Sequence, residues 1–227
     1  MEKIRMLSTL GLMGAMRSLS SGFETATGIH VDADFAPTLA LLKRLRAGEA
    51  ADLVILTREG LDEMIGEGRV IAGSAADLAR SYVGLAVRAG QPHPDIGAEA
   101  ALRRTLLAAR SVAYSRLGAS GVYFAQLISR MGIADAINAK ATIVEQGFTA
   151  ERLVSGEADL AVQQISELKQ VGGIEVIGPV PHDLQIPAVF SAGRMADARQ
   201  VEAAERLLRY LASPEVVPVL RQSGLEP

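Results

Sequence analysis

Strand-like runs that end in small or hydroxylated residues, each followed by apolar residues at helical spacing, recur along this chain and leave few folds open to it. The first stands at the start. Lys3-Ile4-Arg5-Met6-Leu7 runs into Ser8-Thr9-Leu10-Gly11, after which Leu12, Met16, Leu19 and Phe23 repeat every three or four residues. Gly28 ends that helix, and Ile29, Val31, Ala33 and Phe35 then alternate as a strand does. Pro37-Thr38 opens a second helix, predicted to bury Leu39, Leu42 and Leu45 on one face, with Gly48 suited to its C-terminal cap. Asp52-Leu-Val-Ile-Leu56 is a short continuous apolar run, the pattern of a strand buried on both faces. It leaves through Thr57-Arg58-Glu59-Gly60 into a third helix marked by Leu61, Met64 and Ile65. Three strand–turn–helix units in succession predict an α/β fold with a mostly parallel sheet and crossover helices.

A second block repeats the scheme. Tyr82–Val87 reads as a strand, 99–109 as a helix and Ser111-Val-Ala-Tyr114 as a strand. The next turn is Ser115-Arg116-Leu117-Gly118-Ala119-Ser120-Gly121, followed by a helix with Val122, Gln126 or Leu127, and Met131 at suitable intervals. Ala141–Val144 with Gln146-Gly147-Phe148-Thr149, and Leu160–Gln163 with Gln164-Ile165-Ser166-Glu167, are two further strand–turn pairs. Gln185–Phe190 is strand-like, with Pro187 predicted to hold it at an edge or in a crossover. The tail is helical, with Val201, Ala204, Leu208 and Leu211 as one stripe and Ser213-Pro214 as a helix start.

At 227 residues the chain can bury one large core or two smaller ones. A net charge of −3 gives no support for a nucleic-acid partner. No apolar stretch reaches the roughly 18 residues of a membrane-spanning helix, so membrane insertion is not expected. With no Cys, and with its three His (30, 93 and 182) far apart, the sequence has no metal-ligand spacing, and no cofactor motif of the GxGxxG or P-loop type is present. Strand-like sequence begins by Ile4, with no secretory h-region before it, so a cytoplasmic location is expected, or a periplasmic one if a leader has been removed.

Four turns share one chemistry: Ser8-Thr9, Pro37-Thr38, Ser120-Gly121 and Gly147-Phe148-Thr149. In open α/β sheets such turns lie beyond the carboxyl ends of strands, where ligands bind. Free backbone N–H groups and the helix dipole there favour an anion. Each Ser or Thr taken alone reads best as a helix N-cap; their coincidence in both blocks points to an anion-binding cleft.

Ser8–Met16, Thr38-Leu39-Ala40, Ala47–Leu53, Ala119-Ser-Gly-Val-Tyr123 and Gly156–Val162 together resemble the type II periplasmic solute-binding proteins, nearest to the molybdate-binding group. The resemblance implies two α/β lobes closing on a ligand: lobe 1 from 1–80 with 188–227, lobe 2 from 81–187, and crossovers near 81–82 and 185–188. It implies a small anionic ligand, no cofactor, and, if the protein is exported, an ABC transporter membrane component as partner. The oxyanion-binding positions of the group carry over only in part. Gly11 stands where the group has a ligand Ser, Pro37 where it has another, and Gln164 where it has a Tyr; Ser120 and Gly147 fit backbone-donor positions. A buried tetrahedral oxyanion needs its full set of donors, so these losses argue against molybdate or tungstate.

The expected ligand is therefore an organic carboxylate. The site is assigned to Ser8, Thr9, Leu10, Gly11, Pro37, Thr38 and Arg58 from the first block. From the second come Arg116, Ala119, Ser120, Gly121, Gly147, Phe148, Gln163 and Gln164. The two arginines suit paired hydrogen bonds to a carboxylate, and the two amides both donate and accept. Glu59 and Glu167 stand at turns too, and read best as carboxylates stabilised by the helix dipole. Proteins similar to the molybdate-binding group include aconitate isomerases, so a cofactor-free isomerase on this scaffold is the alternative to a binding protein. Spacing alone assigns no catalytic residue.

Overall fold

The computed structural model describes residues 2–227 and divides the chain into two compact units, 1–81 with 188–227 and 82–187. Unit 1 begins with β1 (Lys3–Thr9), a short 3-10 turn over Leu10–Leu12 and α1 (Met13–Thr27). It continues through β2 (His30–Ala36), α2 (Thr38–Arg46), β3 (Leu53–Thr57), α3 (Arg58–Gly66) and β4 (Ala76–Ser81). Unit 2 follows with β5 (Val83–Arg88), α4 (Glu99–Ala108), β6 (Val112–Tyr114), α5 (Ala119–Arg130), α6 (Ala134–Asn138) and β7 (Ala141–Ile143). It ends with α7 (Glu151–Val154), β8 (Leu160–Gln164), α8 (Ile165–Leu168) and β9 (Ile174–Pro179). The chain then returns to unit 1 as β10 (Ala188–Arg194), α9 (Val201–Leu211) and α10 (Val217–Gln222).

Each unit holds a five-stranded sheet, ordered β2-β1-β3-β10-β4 in unit 1 and β7-β6-β8-β5-β9 in unit 2. The three leading strands of each sheet pair in parallel, as the strand–turn–helix repeats predict. The remaining pairings are antiparallel, β10 with both β3 and β4, and β5 with both β8 and β9. The sheets are thus mixed, because β10 enters from the opposite direction and because β5 leads out of the crossover. Of the two places expected for Pro187, an edge or a crossover, the structure has the second: Pro187 is the last residue of unit 2, and β10 starts at the next residue and runs inside the sheet of unit 1.

Side-chain alternation along β1 explains why helices cover both faces. Ile4 and Met6 join α1 and the tail helices in one apolar cluster, while Leu7 points to the other face among Leu41, Leu42, Leu45 and Met64. In α2 the buried residues are Leu41, Leu42 and Leu45; Leu39, predicted for that face, is exposed. In α9 the buried stripe is Ala203, Ala204, Leu207, Leu208 and Leu211, one step round from the predicted one, and Val201 is exposed at the first turn. Burying each leucine contributes about 1.5–3 kcal/mol, so this face fixes the returning segment to unit 1. A polar clasp reinforces it. The buried Asp52 carboxylate accepts backbone N–H bonds from Arg5 (2.9 Å), Arg199 (2.8 Å) and Gln200 (3.0 Å), joining β1 to the segment before α9. Unit 2 repeats the two-faced design, with Leu102, Phe124 and Ile128 among the residues on one side and Leu153, Ala161 and Leu168 on the other.

Candidate functional site

In unit 1 the exits of β1, β2 and β3 lie side by side because the three strands are parallel neighbours. The Thr38 hydroxyl donates to the Thr9 hydroxyl oxygen at 3.4 Å, joining the first two turns. A Cβ on Gly60 would stand 3.2 Å from the Thr38 methyl and 3.4 Å from the Thr57 hydroxyl, which brings in the third. Thr57 is a true N-cap, accepting from the Gly60 N–H at 3.3 Å. The turns before α1 and α2 differ: neither Leu12 nor Pro37 nor Thr9 supplies a side-chain cap, so the first N–H groups there have no side-chain acceptor. Thr9 and Thr38 are therefore not N-caps in the ordinary sense, contrary to what either residue alone suggests.

The other predicted residues of unit 1 fall into place around them. Ser8 is fully buried and turns its hydroxyl onto the Thr9 carbonyl at 3.1 Å. Leu10 and Pro37 are buried wall. Gly11 is set by Phe190, whose ring would lie 2.5 Å from a Cβ at that position. A serine cannot stand there unless the ring moves, so the absent hydroxyl follows from core packing across the sheet. Arg58 is half-buried and its guanidinium is taken by two carboxylates, Asp62 at 2.9 Å and Asp77 at 3.2 Å. No bond joins it to Thr9 or Thr38.

In unit 2 the exits of β6, β7 and β8 adjoin in the same way. The Ser115 hydroxyl accepts from Leu117 N–H (3.1 Å) and Gly118 N–H (3.4 Å), folding the turn back over the start of α5. This fold leaves no room at Gly121, where a Cβ would collide with the Ser115 carbonyl. Ala119 and Ser120 form the first turn of α5, which again has no side-chain cap, and the Ser120 hydroxyl has no hydrogen-bond partner among the described residues. Arg116 is exposed on the same turn, with no carboxylate partner among the described residues.

The adjacent glutamines have opposite fates. Gln163 spends its amide on the turn after β7: its Oε1 accepts from Thr149 N–H (2.8 Å) and Thr149 hydroxyl (3.1 Å), and its Nε2 donates to the Gly147 carbonyl (3.3 Å). Gly147 is half-buried at φ 81°, a left-handed conformation that favours glycine, and Phe148 beside it is half-buried. Gln163 thus shapes the loop. Gln164 is 2% exposed, and its Oε1 is buried with no hydrogen-bond partner among the described residues. An unpaired buried acceptor costs about 1–3 kcal/mol, and native structures keep few of them.

Glu167 completes the cluster. It stands three residues after Gln164, the N-cap of α8, and its carboxyl accepts from the Gln164 backbone N–H as the acidic partner of a capping box does. The Gln163 side chain also donates to it. Burial outweighs both bonds and pushes the Glu167 pKa up to about 8, so the group is mostly protonated at neutral pH. A helix-dipole carboxylate would stay ionised; this one is a buried acid. Its sequence signal was the Gln-x-x-Glu spacing at the end of an apolar run. Glu59 has no such environment and begins the exposed face of α3. Among the described residues no group of three or more His, Asp or Glu is placed to hold a metal ion.

In each unit, helix starts gather at the carboxyl ends of parallel strands, where α/β folds bind their ligands. The family model described as bacterial extracellular solute-binding protein matches residues 4–226, and the chain belongs to that family. It is 37% identical over 230 residues to an aconitate isomerase of Pseudomonas sp, covering 99% of this chain and 87% of that protein. It is 24% identical over 215 residues to the molybdate-binding protein of Azotobacter vinelandii, covering 92% and 84% of the two chains. A solved structure of the periplasmic molybdate-binding protein from the same organism superposes with a TM-score of 0.83 at 16% identity, over 99% of both chains, and shares the fold.

Proposed function

We propose that this solute-binding-fold protein takes a small organic polycarboxylate of the aconitate class rather than molybdate. The observation that supports this reading best is the pairing of Gly11 with Phe190, whose ring occupies the space that a side chain at position 11 of the first turn would need. Pro37 adds neither hydroxyl nor N–H at the second, and Gln164 offers an amide at the end of β8. A planar carboxylate is satisfied by two donors in one plane, from a backbone turn or a guanidinium, whereas a buried tetrahedral oxyanion requires donors all round. Arg116, with no carboxylate partner among the described residues, is a cation at the turn before α5 suited to a carboxylate ligand.

Glu167 favours a second reading, in which the ligand is also isomerised. Moving a double bond along an allylic system requires one group to take a proton from one carbon and return it at another. A buried carboxyl with a pKa near 8 is matched to that work close to neutral pH. Incubation with cis-aconitate, followed by chromatography of the cis and trans isomers, tests this reading. A thermal-shift series with molybdate, tungstate, sulfate and organic acids tests the first. Stabilisation by aconitate without turnover leaves a binding protein, whose partner would be an ABC transporter membrane component. Stabilisation by molybdate alone overturns the carboxylate reading. Cell fractionation tests the expected cytoplasmic location, which a transport receptor would not have.

A further inference from the structure

Unit 2 has a second concavity, at the opposite end of its sheet from these turns. It lies where β6 and β8 begin and β5 ends, and it encloses about 590 Å³. Small-molecule sites have volumes of roughly 300–1,000 Å³ and combine apolar walls with a few polar groups. Here Val87, Pro92, Leu153 and Leu160 supply apolar wall. Three arginines line the cavity, Arg88, Arg104 and Arg110, against one acidic residue, Asp159.

The floor is fixed by hydrogen bonds. Asp159 Oδ2 accepts from the Arg110 backbone N–H at 2.8 Å, and the Ser111 carbonyl accepts from the N–H groups of Asp159 and Leu160. Arg110 Nη2 is occupied as well, donating to Asp159 Oδ1 at 2.9 Å and to the Gly156 carbonyl at 3.3 Å. Arg88 and Arg104 are different: neither has a carboxylate or hydrogen-bond partner among the described residues. The C-terminus of α4 also borders the cavity, and its free carbonyls would repel an anion. Lys140 offsets this, since its Nζ donates to the carbonyls of Leu107 (2.7 Å) and Ala109 (2.5 Å).

We propose that this cavity is a second ligand site, for a small amphipathic carboxylate. Its apolar tail lies against Val87, Leu153 and Leu160, and its carboxylate is held by Arg88 and Arg104. The site is independent of the turns at the other end of the sheet and of whatever they bind. Its chemistry differs as well, because a polycarboxylate has no tail to bury there.

Isothermal titration of the full chain with octanoate tests this, with octylamine and octanol as controls of matched length. Octanoate is expected to bind one site and the controls not to. The Arg88→Ala/Arg104→Ala double variant should weaken octanoate by about tenfold or more, the scale of losing charge-assisted hydrogen bonds. Both arginines are exposed, so melting temperature and circular dichroism should be unchanged. Gln164→Met, at the other end of the sheet, should leave octanoate affinity unaltered. The proposal is overturned if octanoate does not bind, if octanol or octylamine binds equally well, if the double variant retains full affinity, or if Gln164→Met abolishes binding.

Discussion

Glu167→Gln separates the charge of this side chain from its hydrogen bonds. The residue is 6% exposed, and burial sets its pKa near 8, while the Gln163 amide and the Gln164 N–H pull it part of the way back. In the unfolded chain the group returns to its ordinary value of 4.5. Between those two values the folded state holds a proton that unfolding releases. The stability linked to this group is therefore complete below the unfolded value, declines as pH rises, and is lost once pH passes the folded value. Each pH unit well inside the window is worth about 1.4 kcal/mol, so going from about pH 5 to about pH 8 removes roughly 3–4 kcal/mol. Glutamine keeps an oxygen for the Gln164 N–H and cannot ionise. Urea midpoints of both proteins across this range, subtracted one from the other, cancel every other titrating group. The expected result is near-equal stability at the acid end and an advantage of roughly 3 kcal/mol for Glu167→Gln at the alkaline end. Parallel pH profiles would refute the reasoning, because they would mean that folding does not move this proton. If the isomerase reading holds, wild-type turnover rises with pH to a plateau above about 8 as the base form fills, and Glu167→Gln shows none.

Gly121→Ala should destabilise unit 2 by about 1–3 kcal/mol, read by thermal unfolding, because a methyl there meets the Ser115 carbonyl, which is backbone and cannot rotate aside. Gly11→Ser should cost a similar amount in unit 1, and its combination with Phe190→Val should cost less than the two single changes added, because the smaller side chain vacates the space that the serine needs. That double variant should also gain some affinity for molybdate, measured by titration. Gln164→Met removes an unpaired buried acceptor; it should leave the melting temperature equal or higher while weakening the ligand that the thermal-shift screen identifies.

The fold was legible because its signals are local and repeated. Strand-to-helix switches at Thr9, Thr57 and Gly118 follow from period and turn chemistry, and all three mark element boundaries in the structure. Two strands escaped notice. Ala76–Ser81 carries Asp77 and Arg80 among small residues, and Ile174–Pro179 is mostly half-buried, so neither shows the apolar run of a central strand. Leu39 and Val201 read as buried from sequence because spacing of three or four fits two adjacent helix stripes about equally well. Only packing against the sheet decides between them. Gly11 shows a different limit: its partner Phe190 is far away in the chain, and nothing near either residue announces the pair.

The glutamines show where local reading stops. Side chains alternate along a strand, so neighbours at the end of β8 must face opposite sides of the sheet. From sequence, Gln163 and Gln164 are two equal amides at one turn. In the structure one is saturated by Gly147 and Thr149 while the other keeps a buried oxygen unpaired. Which is which depends on where the turn after β7 passes, a tertiary fact. The same turn explains Glu167. Gln163 is anchored to the loop on one side and donates to the carboxyl on the other, so it fixes the acid in place without exposing it to water. A buried acid on one face and an unpaired buried amide oxygen on the other are each costly for folding, and both costs fall on the exit of β8. Such costs are common where a protein handles a ligand, and this coincidence supports the proposed site.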